Sequence, residues 1–210
     1  VATDVRALEL VLATGVLEYD RDLGCGGWGN WDMFVMMDHP IMELEGRTLG
    51  VLGYGDLGQG VIKRAEAFGM NVLLGARPGQ SASEVDGYPR LPLDELLPQV
   101  DVLSLHCLLT EDTRNLIGAR ELKMMKNDAL LINTSRGGLV DEQALADALR
   151  SGEIGGAGFD VLTEEPPRNG NPLLADDIPN LIVTPHSAWA SREARQRIVD
   201  ITARNLSAPA

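Results

Sequence analysis

Positive charge is scarce in this 210-residue chain: 18 Lys and Arg stand against 31 Asp and Glu, a formal net charge of −13. Such a chain repels phosphate polyanions in bulk, which excludes general binding to nucleic acid or to an anionic membrane surface. A phosphorylated ligand held at one local positive site stays compatible with it. Cysteine is scarce as well. Cys25 and Cys107 have no ligand-like spacing and are too few for a disulfide framework, so a reducing, cytoplasmic setting is expected. No run of 18 or more apolar residues occurs, and Glu9 interrupts the first apolar stretch, which argues against a transmembrane span or secretory h-region. Internal repeats and low-complexity tracts are missing too. What is left is ordinary globular composition, 44% hydrophobic and 23% charged, in a length that suits one large domain at about 150 residues per domain. A chain running from Val1 to Ala210 suits a fragment of a larger protein as well as a processed one.

From residue 47 onward, short aliphatic runs alternate with helix-period runs. Thr48–Gly53, Asn71–Gly75, Asp101–Cys107, Ala129–Asn133, Gly156–Val161 and Leu181–Thr184 read as six strands. Leu57, Val61, Ile62, Ala65 and Phe68 recur at helical spacing, Leu93–Leu97 and Gly118–Lys126 read as short helices, and Asp141 caps a helix that Gly152 stops. Ser191 opens a last helix with Ala194, Ile198, Val199 and Leu206 expected inward. Alternation of this kind predicts an α/β fold, a doubly wound parallel sheet of the Rossmann dinucleotide-binding type, over residues 47–210. Residues 1–46 differ in texture. Residues 3–18 read as one helix, and the Gly- and Trp-rich stretch Gly24–Pro40 reads as an arm laid against a partner subunit or as a local cap.

Gly53-Tyr54-Gly55-Asp56-Leu57-Gly58 is G-x-G-x-x-G between a predicted strand and a predicted helix. The first glycine allows the tight turn, the second admits a pyrophosphate to the backbone, and the third lets helix pack on strand. Helix N-terminal N–H groups hold the negative charge, which reconciles an acidic protein with a phosphate ligand. The acid that normally follows about 20 residues later is missing: nothing acidic stands between Gly69 and Glu84, and the second strand runs into Ala76-Arg77. An acid there would repel a 2′-phosphate and an arginine attracts one. NADP(H) is therefore favoured over NAD(H), with Arg77 as clamp and Ser81 or Ser83 as helpers; the other reading is a solvated Arg77 and a site that takes either form.

Three polar residues follow strands whose carboxyl ends a parallel sheet exposes: Arg136 in Asn133-Thr134-Ser135-Arg136-Gly137-Gly138, Glu165 in Thr163-Glu164-Glu165-Pro166, and His186 in Thr184-Pro185-His186-Ser187. Ligands of such sheets bind at that edge. A guanidinium grips a carboxylate bidentately, an imidazole is the natural proton donor near neutrality, and a carboxylate beside it fixes its tautomer. Singly, each has an ordinary reading, as a core histidine, a capping cation or a solvated loop acid. Together on one glycine-loop fold they form a candidate catalytic set.

With Gly53–Gly58, Asn133–Glu142 (NTSRGGLVDE), Asp160–Pro167 (DVLTEEPP) and Thr184–Trp189 (TPHSAW) in order and spacing, residues 40–205 resemble the D-isomer-specific 2-hydroxyacid dehydrogenases. The TPHSAW ending and Ser191–Arg197 look most like the hydroxypyruvate reductase/glycerate dehydrogenase branch. The resemblance implies hydride transfer between nicotinamide and a small 2-keto or 2-hydroxy acid, hydroxypyruvate/glycerate or glyoxylate/glycolate. It implies that Arg136 binds the substrate carboxylate and carbonyl oxygen, that His186 donates the proton, and that Glu165 bonds the far side of its ring. Gly53, Gly55, Asp56, Leu57 and Gly58 fall where the family's backbone meets pyrophosphate. His106, Cys107 and Thr113 match its adenosine side, and Thr134, Ser135, Asp160 and Ala188 its nicotinamide side.

Some features depart from the pattern. Leu108 stands where the family has proline, which would loosen that turn, Ala76 replaces its acid, and the helix before Tyr19-Asp20-Arg21 is short. The family's substrate domain is largely absent from this chain. Two alternatives follow, a phosphoglycerate dehydrogenase and a non-catalytic NAD(H)-binding module; Glu165 argues against the formate branch, which pairs its histidine with glutamine. The family is commonly dimeric through an arm at Gly24–Pro40, so a homodimer is expected, with residues 1–46 as N-terminal helix and dimerisation arm.

Overall fold

The computed structural model describes residues 1–207. Its framework is one sheet of eight strands, in chain order β1 Thr48–Leu52, β2 Asn71–Gly75, β3 Ser83–Val85, β4 Tyr88–Leu91, β5 Val102–Leu105, β6 Leu130–Asn133, β7 Gly156–Phe159 and β8 Leu181–Val183. Their order across the sheet is β3-β4-β2-β1-β5-β6-β7-β8. Every pairing is parallel except the β3–β4 hairpin. All four residues of β5, β6 and β7 are buried, because helices cover both faces and leave no side open to water. Strands are added to one side of β1 up to β4 and to the other side from β5 onward, and that switch point in strand order opens a crevice at the strands' carboxyl ends.

One face carries α4 (Leu93–Leu96), α5 (Ala119–Met124) and α6 (Glu142–Ser151) over a core of Leu96, Leu103, Leu105, Leu122, Leu131, Leu145 and Phe159. The other carries α1 (Ala2–Thr14) and α3 (Asp56–Ala67) over Val5, Leu8, Leu49, Val51, Val61, Ile62 and Ile132. The cap on α6 is as expected: the Asp141 carboxylate accepts from the Gln143 and Ala144 amides at 3.1 and 3.0 Å, and Gly152 ends the helix at φ +69°. Among the described residues no helix is long and apolar enough to cross a membrane, and no three His, Cys, Asp or Glu side chains are grouped as a metal site.

Three expectations need correction. The single helix over residues 3–18 is two, α1 and α2 (Val16–Gly24), because Gly15 takes a left-handed φ of +61° and breaks the hydrogen-bond ladder. The six strands are eight, since β3 and β4 form a hairpin around Asp86-Gly87, both at positive φ, as a two-residue primed turn requires. The final helix, α7 (Arg192–Ser207), does not bury its apolar residues: Ile198, Val199 and Leu206 are 52%, 60% and 83% exposed, and only Ala194 is half-buried. Helical spacing shows that a face is apolar and says nothing of what covers it.

Helix α1 buries a charge pair. Arg6 and Glu9 touch one turn apart, Glu9 is fully buried, and Arg6 also meets the Met70 sulfur at 3.5 Å. Burial pushes the Glu9 carboxyl up to about 7 against the pull of Arg6, and holds the Arg6 guanidinium below its usual value. Removing one partner strands the other's charge. Arg6→Leu is expected to lower the unfolding free energy by about 3–5 kcal/mol, and the Arg6→Leu/Glu9→Leu pair to recover most of that loss, read by urea denaturation at pH 7. Because Glu9 is raised, its contribution is full below its unfolded pKa and is lost as pH climbs towards 7. The stability of the parent relative to Glu9→Gln should therefore fall between about pH 4.5 and about pH 7.

Candidate active site

The carboxyl edge is organised by a backbone contact. Gly53, following β1, sits at φ +109°, and a Cβ there would collide with the His106 carbonyl and the Cys107 amide at the end of β5. Gly58, one turn into α3, packs as closely on the Gly53 carbonyl. Gly55 is different: as the extended N-cap of α3 it has no atom within 4 Å of where a Cβ would stand. Open space thus lies over the first turn of a 12-residue helix begun by Asp56 and Leu57, whose amides have no helical partner. That arrangement suits a phosphate-bearing group.

From this cradle a cavity of about 1000 Å³ runs past Arg77 and the loop after β5, and gathers Gly53, Gly55, Arg77, His106, Cys107 and Thr113. The His106 ring turns inward: Nε2 pairs with Ser104 Oγ at 2.8 Å, and burial, helped by the Arg6 charge, holds its pKa down to about 4. It is neutral at physiological pH. Burial also raises the Cys107 thiol. The turn expected to loosen at Leu108 is closed by Thr113, whose Oγ donates to the Leu108 carbonyl at 2.7 Å and accepts from the Thr110 amide at 2.8 Å.

The second group of residues lies further along the same edge. Asn133 shapes the loop after β6, accepting from the Ser135 amide at 3.0 Å and donating to the Arg136 carbonyl at 2.9 Å. Ser135 Oγ donates to the Cys107 carbonyl at 3.0 Å and so ties this loop to the first cavity. Thr134 is buried with its hydroxyl unpartnered among the described residues. Arg136 is exposed, its Nη1 bonded only to the Ser135 carbonyl at 2.6 Å. The next residue, Gly137, presses so closely on the Leu162–Thr163 backbone that a Cβ has no room, which brings the Arg136 loop against the loop carrying Glu165.

Glu165 has two partners. Oε1 accepts from the Leu162 amide at 2.8 Å, and Oε2 lies 2.7 Å from His186 Nδ1. An ionised carboxylate makes Nδ1 the donor and leaves Nε2, which has no partner among the described residues, to face a ligand. His186 itself sits at φ +53°, a conformation that costs a non-glycine residue about 1–3 kcal/mol and persists only where surroundings enforce it. Asp160 enforces it. Its buried carboxylate accepts from Thr184 Oγ at 2.5 Å, the Ser187 amide at 2.8 Å and the Ala188 amide at 2.9 Å, bracketing His186 on both sides.

The histidine–carboxylate pair is therefore joined directly, and Arg136 approaches it through the Gly137 contact, with no side-chain bond from Arg136 to either residue. Four contributors escaped the sequence reading. Asn133 and Glu142 stand inside NTSRGGLVDE yet act through loop bonds, Glu142 accepting from the Thr163 amide and Asn171 Nδ2, both at 2.7 Å. Thr184 acts through Asp160. Arg90 lines the cavity from β4, a strand that had not been anticipated.

Residues 7–188 match the family model described as D-isomer specific 2-hydroxyacid dehydrogenase, NAD binding domain. A glycerate dehydrogenase of Methylorubrum extorquens is 48% identical over 207 residues, covering 97% of this chain and 63% of its own length. A D-lactate dehydrogenase solved with NAD⁺, from Lactobacillus jensenii, superposes with a TM-score of 0.81 at 32% identity, over 97% of this chain and 63% of that one. An acyclic imino acid reductase in complex with NADPH and D-Arg superposes with a TM-score of 0.84 at 33% identity, over 98% and 62%. The chain thus spans a little over three fifths of the length of these relatives.

Asp160→Asn keeps the shape of the side chain but replaces one acceptor oxygen with an N–H facing donors. Since hydrogen bonds to a charged acceptor are worth about 1.5–3 kcal/mol each, the variant is expected to lose that much unfolding free energy in urea. A midpoint equal to the parent's would remove Asp160 from the support of the His186 turn.

Proposed function

The chain belongs to the D-isomer-specific 2-hydroxyacid dehydrogenase family, which it matches through the NAD-binding domain, and from that premise we propose that it carries the cofactor and proton-transfer half of an oxidoreductase. The substrates proposed are small 2-keto and 2-hydroxy acids, hydroxypyruvate/glycerate first and glyoxylate/glycolate second. One observation carries the reading: His186 Nδ1 is held 2.7 Å from Glu165 at the carboxyl edge of the sheet, with the Arg136 loop packed on the loop that bears Glu165.

The nicotinamide, when bound, supplies the hydride that the substrate's carbonyl carbon receives. The rest falls to side chains. Arg136 binds the substrate carboxylate and polarises the carbonyl oxygen. His186 gives that oxygen a proton from Nε2, and Glu165 holds the imidazolium and its orientation through Nδ1. In the reverse direction the neutral ring takes the hydroxyl proton back. The site fits a dinucleotide: the open space at Gly55 suits a pyrophosphate on the amides of Asp56 and Leu57, with Gly53 and Gly58 closing the turn. His106, Cys107 and Thr113 would flank the adenosine. Thr134, whose orphaned hydroxyl needs a partner, would flank the nicotinamide with Ser135, Asp160 and Ala188. For the cofactor we favour NADP(H) over NAD(H), on Arg77 in the cavity at the end of β2 and the want of an acid there.

In the intact protein His186→Ala is expected to lower kcat for hydroxypyruvate reduction by about 10²–10⁴-fold, the usual worth of a general acid, and the parent to show a higher kcat/KM with NADPH than with NADH. Near-full turnover by the variant would remove His186 from the reaction, a preference for NADH would overturn the cofactor choice, and turnover confined to 3-phosphohydroxypyruvate would move the enzyme to the phosphoglycerate branch. No turnover of any of these acids would favour a cofactor-binding module.

A homodimer is proposed as well, on the arm at Gly24–Pro40: Trp28, Trp31, Met33, Phe34 and Met37 all lie exposed after α2, an unusual concentration of large apolar residues in water. Sedimentation of the intact protein is expected to give a dimer, and Phe34→Asp to shift it towards monomer. A strictly monomeric parent would dismiss the arm.

A further inference from the structure

The cavity that holds Arg77 contains a second unneutralised arginine. Arg90 lies on β4 in register with Leu74 of β2, and the Ala76 amide donates to the Leu91 carbonyl at 2.7 Å, so the residues leading into Arg77 are fastened beside Arg90. Both residues line the same cavity as Gly55 and Tyr54. Among the described residues no carboxylate lies within ion-pair distance of either, in a chain where acids outnumber bases. The nearby acids are engaged elsewhere: Asp86 accepts from Tyr54 Oη at 2.9 Å and Glu66 from Tyr88 Oη at 2.6 Å. Asp112 is the acid that lines the cavity, and it sits on the β5 side. Arg90 Nε is sealed from water and has no acceptor among the described residues.

Two like charges in one cavity repel, and a buried N–H without an acceptor keeps its full desolvation cost. A dianionic phosphate monoester offsets the repulsion, because a guanidinium offers paired donors to phosphate oxygens. A ribose hydroxyl does not. We propose that Arg90 is a specificity-determining residue, forming with Arg77 a two-arginine clamp for the 2′-phosphate of the adenosine ribose. Arg77 reaches this clamp from the loop after β2, and Arg90 from the floor of the neighbouring strand. The proposal rests on the NADP(H) reading above and deepens it, by assigning the discrimination to a residue outside the strand-end loop.

Binding of 2′,5′-ADP and of 5′-AMP to the intact protein, followed by calorimetry, separates the two levels without any turnover. The parent is expected to bind 2′,5′-ADP more tightly. Arg90→Gln is expected to weaken 2′,5′-ADP by about 10- to 100-fold, the span for hydrogen bonds to a charged group, while 5′-AMP stays within about twofold of the parent and so reports an intact site. Arg90→Lys, with a point charge in place of the fork, should fall between. An Arg90→Gln protein that binds both nucleotides like the parent, while Arg77→Gln loses 2′,5′-ADP selectively, overturns the role of Arg90 and leaves the cofactor reading standing. Equal losses for both nucleotides would make Arg90 merely structural and also overturn the proposal. A parent that does not distinguish the two nucleotides overturns both levels.

Discussion

Backbone contact at Gly53 is the constraint on which the carboxyl edge depends. The ends of β1 and β5 meet there with no side chain between them, and the crevice of the sheet opens beyond the carboxyl ends of these two neighbouring strands, where their loops leave in opposite directions. A side chain at residue 53 or 58 would push α3 away from the sheet and close the space over its first turn. Because the sheet is parallel and covered on both faces, its βα loops have nowhere else to present polar groups. Asn133, Asp160 and Thr184 end or follow β6, β7 and β8 for the same reason that Gly53 follows β1.

The second theme is how an acidic chain keeps positive potential where it has use for it. The Arg6 charge is spent on Glu9 inside the second core, and it helps to keep the His106 ring neutral. Surface arginines such as Arg120 and Arg150 are spent on Asp94 and Asp177. Arg77, Arg90 and Arg136 have no such partners among the described residues, and all three lie at the carboxyl edge or in the cavity beside it. Backbone amides at the start of α3 add dipole without adding formal charge.

Rigidity at the far end of the edge is bought with a strained turn. His186 adopts a left-handed conformation that its own preferences oppose, and Asp160 holds it there by gathering Thr184, Ser187 and Ala188 around one buried carboxylate. Glu165 is fixed in the same manner by the Leu162 amide, and Gly137 and Glu142 fix its loop. The histidine–carboxylate distance is therefore an outcome of six loop contacts rather than of the two residues alone.

Much of this was legible in the amino-acid order. Hydrophobic runs and their periods determined the alternation of strands and helices, Asp141 and Gly152 marked both ends of α6, and the glycine spacing located the cradle, because each signal depends on a residue's own backbone preference and its near neighbours. Gly15 and the Asp86-Gly87 turn carried signals of the same local kind, and they were masked by a long apolar stretch and by the charged, proline-containing run of β3–β4. Other features were never local. That α7 leaves Ile198 and Val199 uncovered, that Arg6 and Glu9 share the interior, that Arg90 stands beside Arg77, and that Asp160 rather than its neighbours holds His186 were decided only by the tertiary structure. Sequence patterns report what each segment prefers, whereas strand order and loop packing decide which distant segments meet, and charge, burial and strain are properties of those meetings.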